Sequence, residues 1–318
     1  MPVLDEKHDW AHPVESDGAW SESYYFNAYD PPTDTGFFTR IGIRPNEGTI
    51  DVGLSVWLPG EGLTGYRHVQ AQAEMIDSDL RVGDIRYEML EPGRRWRLSG
   101  STETGLALDV TFEALTPMIG GDGQGRRGRG ASAETGTVVG KGHLEQAGRW
   151  HGWLEAGGAK QEWTAARGNR DKSWGPRRWG GPKMWRWFSI NFGGDAYGEG
   201  CHFGGIRIGT DAGDLHRGWV WKDGEHASIV DWSVTSGVAD DGVTHRTTDV
   251  RATDRDGRVH ELHADVVRVH PGPAGVRPDT TIVNEGLARW TYDGMEGWGI
   301  SEYLHQLDAD CRPRVAIE

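Results

Sequence analysis

The chain has 318 residues, of which 48 are glycine and 16 tryptophan, with two cysteines (Cys201 and Cys311) and a formal net charge of −14. The acidic charge argues against a nucleic-acid partner, since phosphate binding needs a basic surface, and two cysteines cannot form the disulfide framework of a small secreted scaffold. The first residues lack the basic and apolar segments of a secretory signal, and no apolar run reaches the ~18 residues of a membrane-spanning helix, so we expect a cytoplasmic protein without a membrane span.

Alternating apolar and polar residues predict strands along the whole chain. In residues 39–44, Ile41 and Ile43 share one face, opposite Arg40 and Arg44. The same period of two recurs in the segments 105–112, 150–155, 185–192, 216–221 and 258–269. Turn signals rich in glycine, proline and aspartate separate these segments, and no amphipathic helix longer than a turn or two is evident. The pattern predicts an all-β protein.

The predicted strands are too many for one β unit. A single sandwich or lipocalin barrel uses about eight strands, and the candidates here outnumber them, so we predict two antiparallel units, at residues 1–180 and 181–318. The glycine-rich segment 119–130 is an alternative linker, but strand patterns continue on both sides, so we interpret it as a flexible insertion in the first unit. This segment contains three basic residues, Arg126, Arg127 and Arg129. They are typical of a solvated loop, and the alternative is contact with an anionic ligand.

Motifs that would indicate a cofactor or a metal fail on their spacing. Residues 136–141 (GTVVGK) are one spacer short of a phosphate-binding loop and lack its following serine or threonine. His260 and His263 lie three positions apart in a strand pattern, so they point to opposite faces, and we interpret Glu261 and His263 as an exposed polar face rather than a metal pair. No serine nucleophile elbow or Cys-x-x-Cys pair is present. We predict no metal and no cofactor.

The central segment 168–179, GNRDKSWGPRRW, combines an acid, three arginines and two tryptophans. Such a mixture is typical of a pocket wall, and we predict that the chain leaves regular structure at residues 173–176. Asp171 among indole rings would be partly desolvated, and desolvation raises a carboxyl pKa toward neutrality, where the group can serve as a general acid. The alternative is an ion pair of Asp171 with Arg170 or Arg177 that only fixes a turn.

Aromatic side chains are more numerous than packing normally needs. A ring face stabilises a positive charge by ~2 kcal/mol or more when water is excluded. An acid that protonates an alkene, beside rings that hold the resulting carbocation, would make a hydratase or a cyclase, whereas the same rings would equally suit passive binding of an apolar ligand. The residues in question are Tyr24, Tyr25, Phe26, Trp174, Trp185, Trp187, Trp219, Trp221, Trp290 and Trp298.

Several segments resemble the hydroxyneurosporene synthase (carotenoid 1,2-hydratase)/AttH-like superfamily of double-lipocalin proteins, in particular its two-domain bacterial members. They are ESYYFN at 22–27, RIGIRPN at 40–46, HLEQ at 143–146 followed by Gly148, GNRDKSWGPR at 168–177, WRWFSI at 185–190 and GWGISEY at 297–303. The central motif is the most specific of these.

The resemblance implies two lipocalin-like β-barrels packed together, with a lipophilic pocket in or between them, and cofactor-free hydration or cyclisation of double bonds. Asp171 matches the acidic position of the family's central motif. Lys172 departs from it, since relatives usually carry histidine there; a role of that histidine in proton transfer would put hydratase chemistry in doubt, while a packing role would not.

We therefore predict a hydratase, cyclase or isomerase that protonates a double bond of an isoprenoid or polyketide-like substrate, with a homodimer left open. Asp171 is the predicted proton donor, and His202 and Glu302 are candidates for a base that activates water. Glu145 is expected to brace the motif through Arg170. The predicted substrate-binding residues are Tyr25, Trp174, Arg177, Trp185, Trp187 and Trp298, with Arg177 orienting Asp171 or a ligand oxygen.

Two other interpretations stay open on the sequence. One is a non-catalytic carrier of small lipophilic molecules, in which Asp171 would be fully ion-paired and turned away from the cavity. The other is a β-sandwich that recognises carbohydrate through its tryptophans, which requires those rings to line an open groove.

Overall fold

The structure is a computed structural model that describes residues 1–60, 62–72, 74–122, 131–271 and 276–318. The predicted basic cluster Arg126, Arg127 and Arg129 lies outside the described residues.

The N-terminal half forms one antiparallel sheet of twelve strands. Its strands are β1 (Trp20–Asp30), β2 (Thr35–Arg44), β3 (Thr49–Trp57), β4 (Leu63–Ala71), β5 (Asp79–Val82), β6 (Ile85–Glu91), β7 (Arg95–Ser101), β8 (Ala107–Ala114), β9 (Ile119–Gly121), β10 (Gly142–Ala156), β11 (Ala159–Trp163) and β12 (Arg167–Pro176). The hydrogen-bonded order is β4-β3-β2-β1-β12-β10-β8-β7-β6-β5, and β9 and β11 pair with β10. Because β5 at one end lies close to β3 and β4 at the other, the sheet curls into a barrel-like form.

The C-terminal half forms a closed antiparallel barrel of consecutive strands. They are β13 (Met184–Phe192), β14 (Cys201–Thr210), β15 (Gly213–Lys222), β16 (Glu225–Val238), β17 (His245–Asp254), β18 (Val259–Pro271), β19 (Thr281–Tyr292) and β20 (Met295–Gln306). Strand β20 closes the barrel by pairing with β13.

Helices are few and short. The described residues contain one α-helix, α1 (Ala131–Val138), and two 3-10 turns at Glu6–Asp9 and Pro45–Glu47. None of the helices in these ranges has the length and apolar character that a bilayer crossing requires.

Each half has its own apolar core inside its sheet. Alternate residues of β3 (Ile50, Val52, Leu54 and Val56) are fully buried, as expected for strands with one face on a core. A further cluster joins the outer faces of the two halves, and it consists of Tyr25, Tyr29, Trp57, Trp185, Trp187, Ile208, Leu287, Ile300 and Leu304. The prediction of an all-β protein with two lipocalin-like units is therefore confirmed.

Two local expectations differ from the structure. Residues 173–176 do not leave regular structure, because β12 continues to Pro176 with β1 and β10 hydrogen-bonded on its two sides. The segment 119–130 is not an insertion throughout, since Ile119–Gly121 forms β9 and pairs with β10. The predicted boundary at residues 180 and 181 falls in the segment that connects β12 to β13.

Candidate functional site

The two faces of β12 point to different parts of the molecule. Side chains alternate along a strand, so Asp171 and Ser173 share the face toward the barrel, while Arg170 and Lys172 point into the N-terminal sheet. Consistently, the Arg170 guanidinium lies 5.7 Å from the ring centroid of Trp96, a core residue. One strand thus contributes both to the core and to the surface between the two halves.

The inward face of β12 is fully paired with the first residues of the chain. Arg170 donates to the Asp9 carboxylate at 2.5 and 3.0 Å, and Lys172 lies 2.5 Å from Glu22 Oε1. Burial lowers the pKa of Lys172, and the charge of Glu22 opposes that shift. The expectation that Glu145 braces the motif through Arg170 is therefore wrong.

Trp174 lies on this inward face too. Its ring stacks on His12 with 3.7 Å between the centroids, and it packs with Trp20, Met118 and Leu144. Trp174 is thus not among the residues that line the cavity described next.

A cavity of about 120 Å³ lies between the outer faces of the two halves. The N-terminal sheet supplies Tyr25, His143, Glu145, Asp171 and Ser173, with Arg177 just beyond β12, and the barrel supplies Trp185, Trp187, Ile206, Ile208, Leu215, Arg217 and Glu302. The described wall also includes residues of α1 and the following segment, the first residue of the chain and two glycines: Thr135, Val139–Gly142, Met1, Gly121 and Gly205. Trp185 and Trp187 are 5% and 4% exposed, whereas a carbohydrate groove would need open rings.

Strand register explains why these side chains meet. Tyr25, Asp171 and Glu145 are directly opposite one another on β1, β12 and β10, and directly opposed residues point to the same face. On the barrel, Glu302 of β20 is opposite Trp187 of β13 on one side. On its other side it is opposite Glu285 of β19.

Glu285 and Glu302 form a carboxyl pair at the barrel wall. They are directly opposite each other on neighbouring strands, Tyr25 Oη donates to Glu285 at 3.2 Å, and Trp185 Nε1 donates to Glu302 at 2.6 Å. Burial raises the pKa of Glu285 well above its usual value, and the charge of Glu302 adds to the shift. Burial likewise raises the pKa of Glu302. Two such groups favour sharing one proton, since both cannot ionise cheaply side by side.

On the opposite wall, Asp171 faces a histidine. Its side chain is 20% exposed, and Oδ2 lies 3.5 Å from His143 Nε2. Burial alone would lower the pKa of His143, but the hydrogen bond to Asp171 and the charge of Glu145 outweigh it, so that pKa is raised. The geometry therefore favours an Asp171–His143 ion pair across the cavity from the Glu285–Glu302 pair.

Glu145 connects the two halves directly. Trp187 Nε1 donates to its Oε1 at 2.7 Å, and Trp219 Nε1 donates to its Oε2 at 2.6 Å. Burial raises the pKa of Glu145. We call this arrangement of Glu145, Trp187 and Trp219 the indole clamp.

Arg177 lines the cavity and has no acidic partner. Its Nη2 donates to Ser173 Oγ at 2.7 Å, and among the described residues no carboxylate oxygen lies within 4.0 Å of its nitrogens. Burial lowers the pKa of Arg177 to about 10, and the positive charge of Arg40 contributes to the shift.

Two further predicted residues lie away from the cavity wall. The ring nitrogens of His202 contact Asn191 Oδ1 and Glu199 O at 3.0 and 3.1 Å, and burial lowers its pKa to about 4. Trp298 packs on Tyr29 with 4.5 Å between the ring centroids. Conversely, sequence reasoning missed His143 and Glu285.

The described residues contain no group of three or more histidine, cysteine, aspartate or glutamate side chains arranged to hold a metal ion. The acidic groups at the cavity contact indoles, Tyr25 and His143.

Solved structures share the fold over nearly the whole chain. An AttH-like protein of Nitrosomonas europaea, NE1406, matches with a TM-score of 0.66 and 15% identity, covering 95% of this chain and 96% of its own. Kievitone hydratase from Nectria haematococca gives 0.63 and 12%, covering 91% and 90%. CghA gives 0.66 and 10%, covering 92% and 89%.

Sequence comparison adds the family but no activity. No functionally curated protein matches the chain. The family model described as Domain of unknown function (DUF7064) matches residues 5–307. With the double-lipocalin fold of AttH-like proteins and this family match over most of its length, the chain belongs to the DUF7064 family.

Proposed function

We propose that the protein is a cofactor-free hydratase, cyclase or isomerase that protonates a double bond of a largely apolar, isoprenoid or polyketide-like substrate. One observation carries the proposal: Glu302, which is directly opposite Glu285 in the barrel, and the Asp171–His143 pair line the same small cavity. A carboxyl whose pKa is raised by burial and a second carboxyl placed beside a histidine can act as acid and base on one substrate.

In a hydration, Glu302 donates its proton to one carbon of the double bond. A water oxygen bonds to the other carbon, and Asp171 accepts the proton that the water loses. In an isomerisation or cyclisation, Asp171 takes its proton from a carbon of the substrate instead. Either cycle ends with one proton to return from Asp171 to the Glu285–Glu302 pair, so no oxidant or reductant is consumed.

This assignment changes the roles predicted from sequence. Asp171 was expected to donate, but its position beside His143 suits the carboxylate form, which accepts. Burial raises the pKa of Glu302, which suits a carboxyl that donates a proton. Trp185 and Trp187 would lie beside a cationic or electron-poor reacting carbon.

The reaction class also agrees with the name of one protein of the same fold, kievitone hydratase. At 12% identity that likeness supports the fold alone, so the acid and base at the cavity carry the argument.

The test compares the wild type with Glu302→Gln and a matched variant, Glu296→Gln, which removes an exposed carboxyl from the same strand. Compounds that co-purify with the protein, together with a panel of isoprenoid alkenes, enones and unsaturated acids, are incubated with each variant in ¹⁸O-labelled heavy water. Mass spectrometry then detects added water or exchanged hydrogen.

We expect incorporation with the wild type and Glu296→Gln but not with Glu302→Gln. Recovery of a bound compound without any exchange would contradict the proposal and favour a carrier of lipophilic molecules. Exchange that survives in Glu302→Gln would contradict the assignment of Glu302.

A further inference from the structure

Arg177 is held in one position by its surroundings. Its backbone N–H donates to Ala19 O at 2.9 Å, and its side chain donates to Ser173, whose Oγ lies 2.9 Å from Ser23 Oγ. The guanidinium also lies over the Trp179 ring, 5.3 Å from the centroid. Only part of its donor set is used by these contacts, because a guanidinium carries five N–H groups.

Arg177 has no carboxylate in contact among the described residues, although the charges of Asp171 and Glu302 act on it from a greater distance. Other arginines next to this region have acids: Arg44 binds Asp51, and Arg178 lies 2.7 Å from Asp17. Arg177, by contrast, lines the cavity without a carboxylate within 4.0 Å among the described residues. A guanidinium that lines a cavity without a carboxylate at contact distance keeps N–H donors available, so an anionic group of a ligand would be attracted to it.

A second guanidinium strengthens this attraction. Arg40 is opposite Tyr25 on the neighbouring strand β2, so it belongs to the same row of side chains as Asp171. Its Nη2 is buried without a hydrogen-bond partner, and its nearest acid, Asp51 at 3.5 Å, also binds Arg44. Arg177 and Arg40 therefore bring two positive charges close to Asp171 at the cavity.

We infer that the substrate carries an acidic oxygen, that of a carboxylate or of an enolisable ketone, conjugated with the reacting double bond, and that Arg177 binds this oxygen. The inference rests on the proposed function and narrows its substrate class from hydrocarbon-like alkenes to unsaturated acids and enolisable ketones. Planar, bidentate recognition of such oxygens is what a guanidinium does best.

The oxygen also has a chemical consequence. Asp171 removes a proton from water while the water oxygen bonds to the carbon remote from the acidic group. The π electrons of the double bond move toward the acidic oxygen, where Arg177 holds the negative charge. Glu302 then delivers its proton to the nearer carbon, and the carbonyl form returns. Arg177 thereby stabilises the negative charge that builds up on this oxygen during the reaction, in addition to binding any charge that the oxygen carries beforehand.

The test measures binding of trans-cinnamate and trans-cinnamamide by titration calorimetry, since the two differ in the ionised oxygen and little in shape. We expect the wild type to bind cinnamate at least about tenfold more tightly, the size of one charge-assisted hydrogen bond. Arg177→Met should abolish the preference, Arg177→Lys should retain part of it, and Arg178→Met, which removes a surface charge at the next position, should leave it intact.

Stability gives a second readout. Because Arg177 has no acidic partner, Arg177→Met should unfold at the same denaturant concentration as the wild type or a higher one, whereas a residue that held the fold together would lower it. Equal binding of the two probes by the wild type, failure to bind either, or a preference retained by Arg177→Met would overturn the inference. Should Arg177→Met not fold, Arg177→Gln takes its place.

The outcomes separate this inference from the proposed function. A cinnamate preference that depends on Arg177, without any Glu302-dependent exchange, would keep the oxygen site and reject the acid–base enzyme. If exchange depends on Glu302 but the preference for cinnamate does not depend on Arg177, the acid–base enzyme would be kept and the oxygen site rejected.

Discussion

Substitution of Gly204 by alanine should break the indole clamp. A Cβ at this position of β14 would lie 2.3 Å from Glu145 Oε2 and 2.6 Å from Trp219 Nε1, both far inside van der Waals contact. Neither partner has room to retreat, because Glu145 is held by two indoles and the Trp219 ring is fully buried. The expected cost has two parts.

Overpacking of a dense site costs about 1–3 kcal/mol. Loss of one hydrogen bond to a charged group, that of Trp219, adds about 1.5–3 kcal/mol. We therefore expect Gly204→Ala to lower the free energy of unfolding by about 2.5–6 kcal/mol, a large share of the ~5–15 kcal/mol that domains possess.

Guanidinium chloride unfolding followed by tryptophan fluorescence and circular dichroism measures this loss. Gly53→Ala is the matched control, because Gly53 also lies within a strand but a Cβ there meets nothing within 4 Å. The control should stay within about 1 kcal/mol of the wild type, as expected for a Gly→Ala change that fits its backbone. Equal unfolding midpoints for the two variants would show that Glu145 and Trp219 do not pack closely against Gly204.

Three other outcomes follow from the buried charges. Glu302→Gln should lower kcat by about 10²-fold or more, whereas Glu296→Gln should leave kcat unchanged. Wild-type turnover should fall as the pH rises through the raised pKa of Glu302, and a flat pH profile would contradict this role. The raised pKa of Glu285 means that its contribution to stability is complete below the ordinary glutamate pKa and is lost as the pH rises, so Glu285→Gln should gain on the wild type with increasing pH; parallel denaturation curves at all pH values would contradict this. Lys172→Met should cost up to about 3–5 kcal/mol, because the buried Glu22 would lose its ammonium partner and keep only its contacts with His12. Glu22→Gln in the same chain should recover most of this loss, and a double variant as unstable as the single one would show that the pair is not coupled.

The fold was largely predictable because strand periodicity and turn residues act locally. Alternation along segments such as 185–192 marks strands whatever their partners, and the number of strands alone calls for two units. The order of the strands in the N-terminal sheet could not be predicted from the sequence, because it depends on long-range pairing. Strand β12, for example, lies between β1 and β10.

At the site, the errors have identifiable causes. Taking residues 173–176 for irregular structure concealed that Asp171 and Trp174 lie three positions apart on one strand and so point to opposite faces. His202 and Trp298 share the outer face with Ile206 and Glu302, but four residues of strand separate them from the cavity rows, about 13 Å.

The acid pair was within reach of the sequence. Asp293 and Gly294 form the two-residue turn between β19 and β20, a composition typical of tight hairpins. Counting outward equally from that turn pairs Glu285 with Glu302, as the structure has it. The contacts across the halves, such as that of Glu145 with Trp219, leave no such local signal.

The acid of the proposed reaction belongs wholly to the C-terminal barrel, and its base belongs wholly to the N-terminal sheet. Neither half alone holds both the proton donor and the proton acceptor. The distance between these two groups therefore depends on how the sheet of one half packs on the other. Substitutions among the apolar residues that join the two halves would therefore alter which product forms, even with every ionisable group unchanged. Relatives with identical carboxyls but a differently seated barrel should therefore differ in the compounds they make.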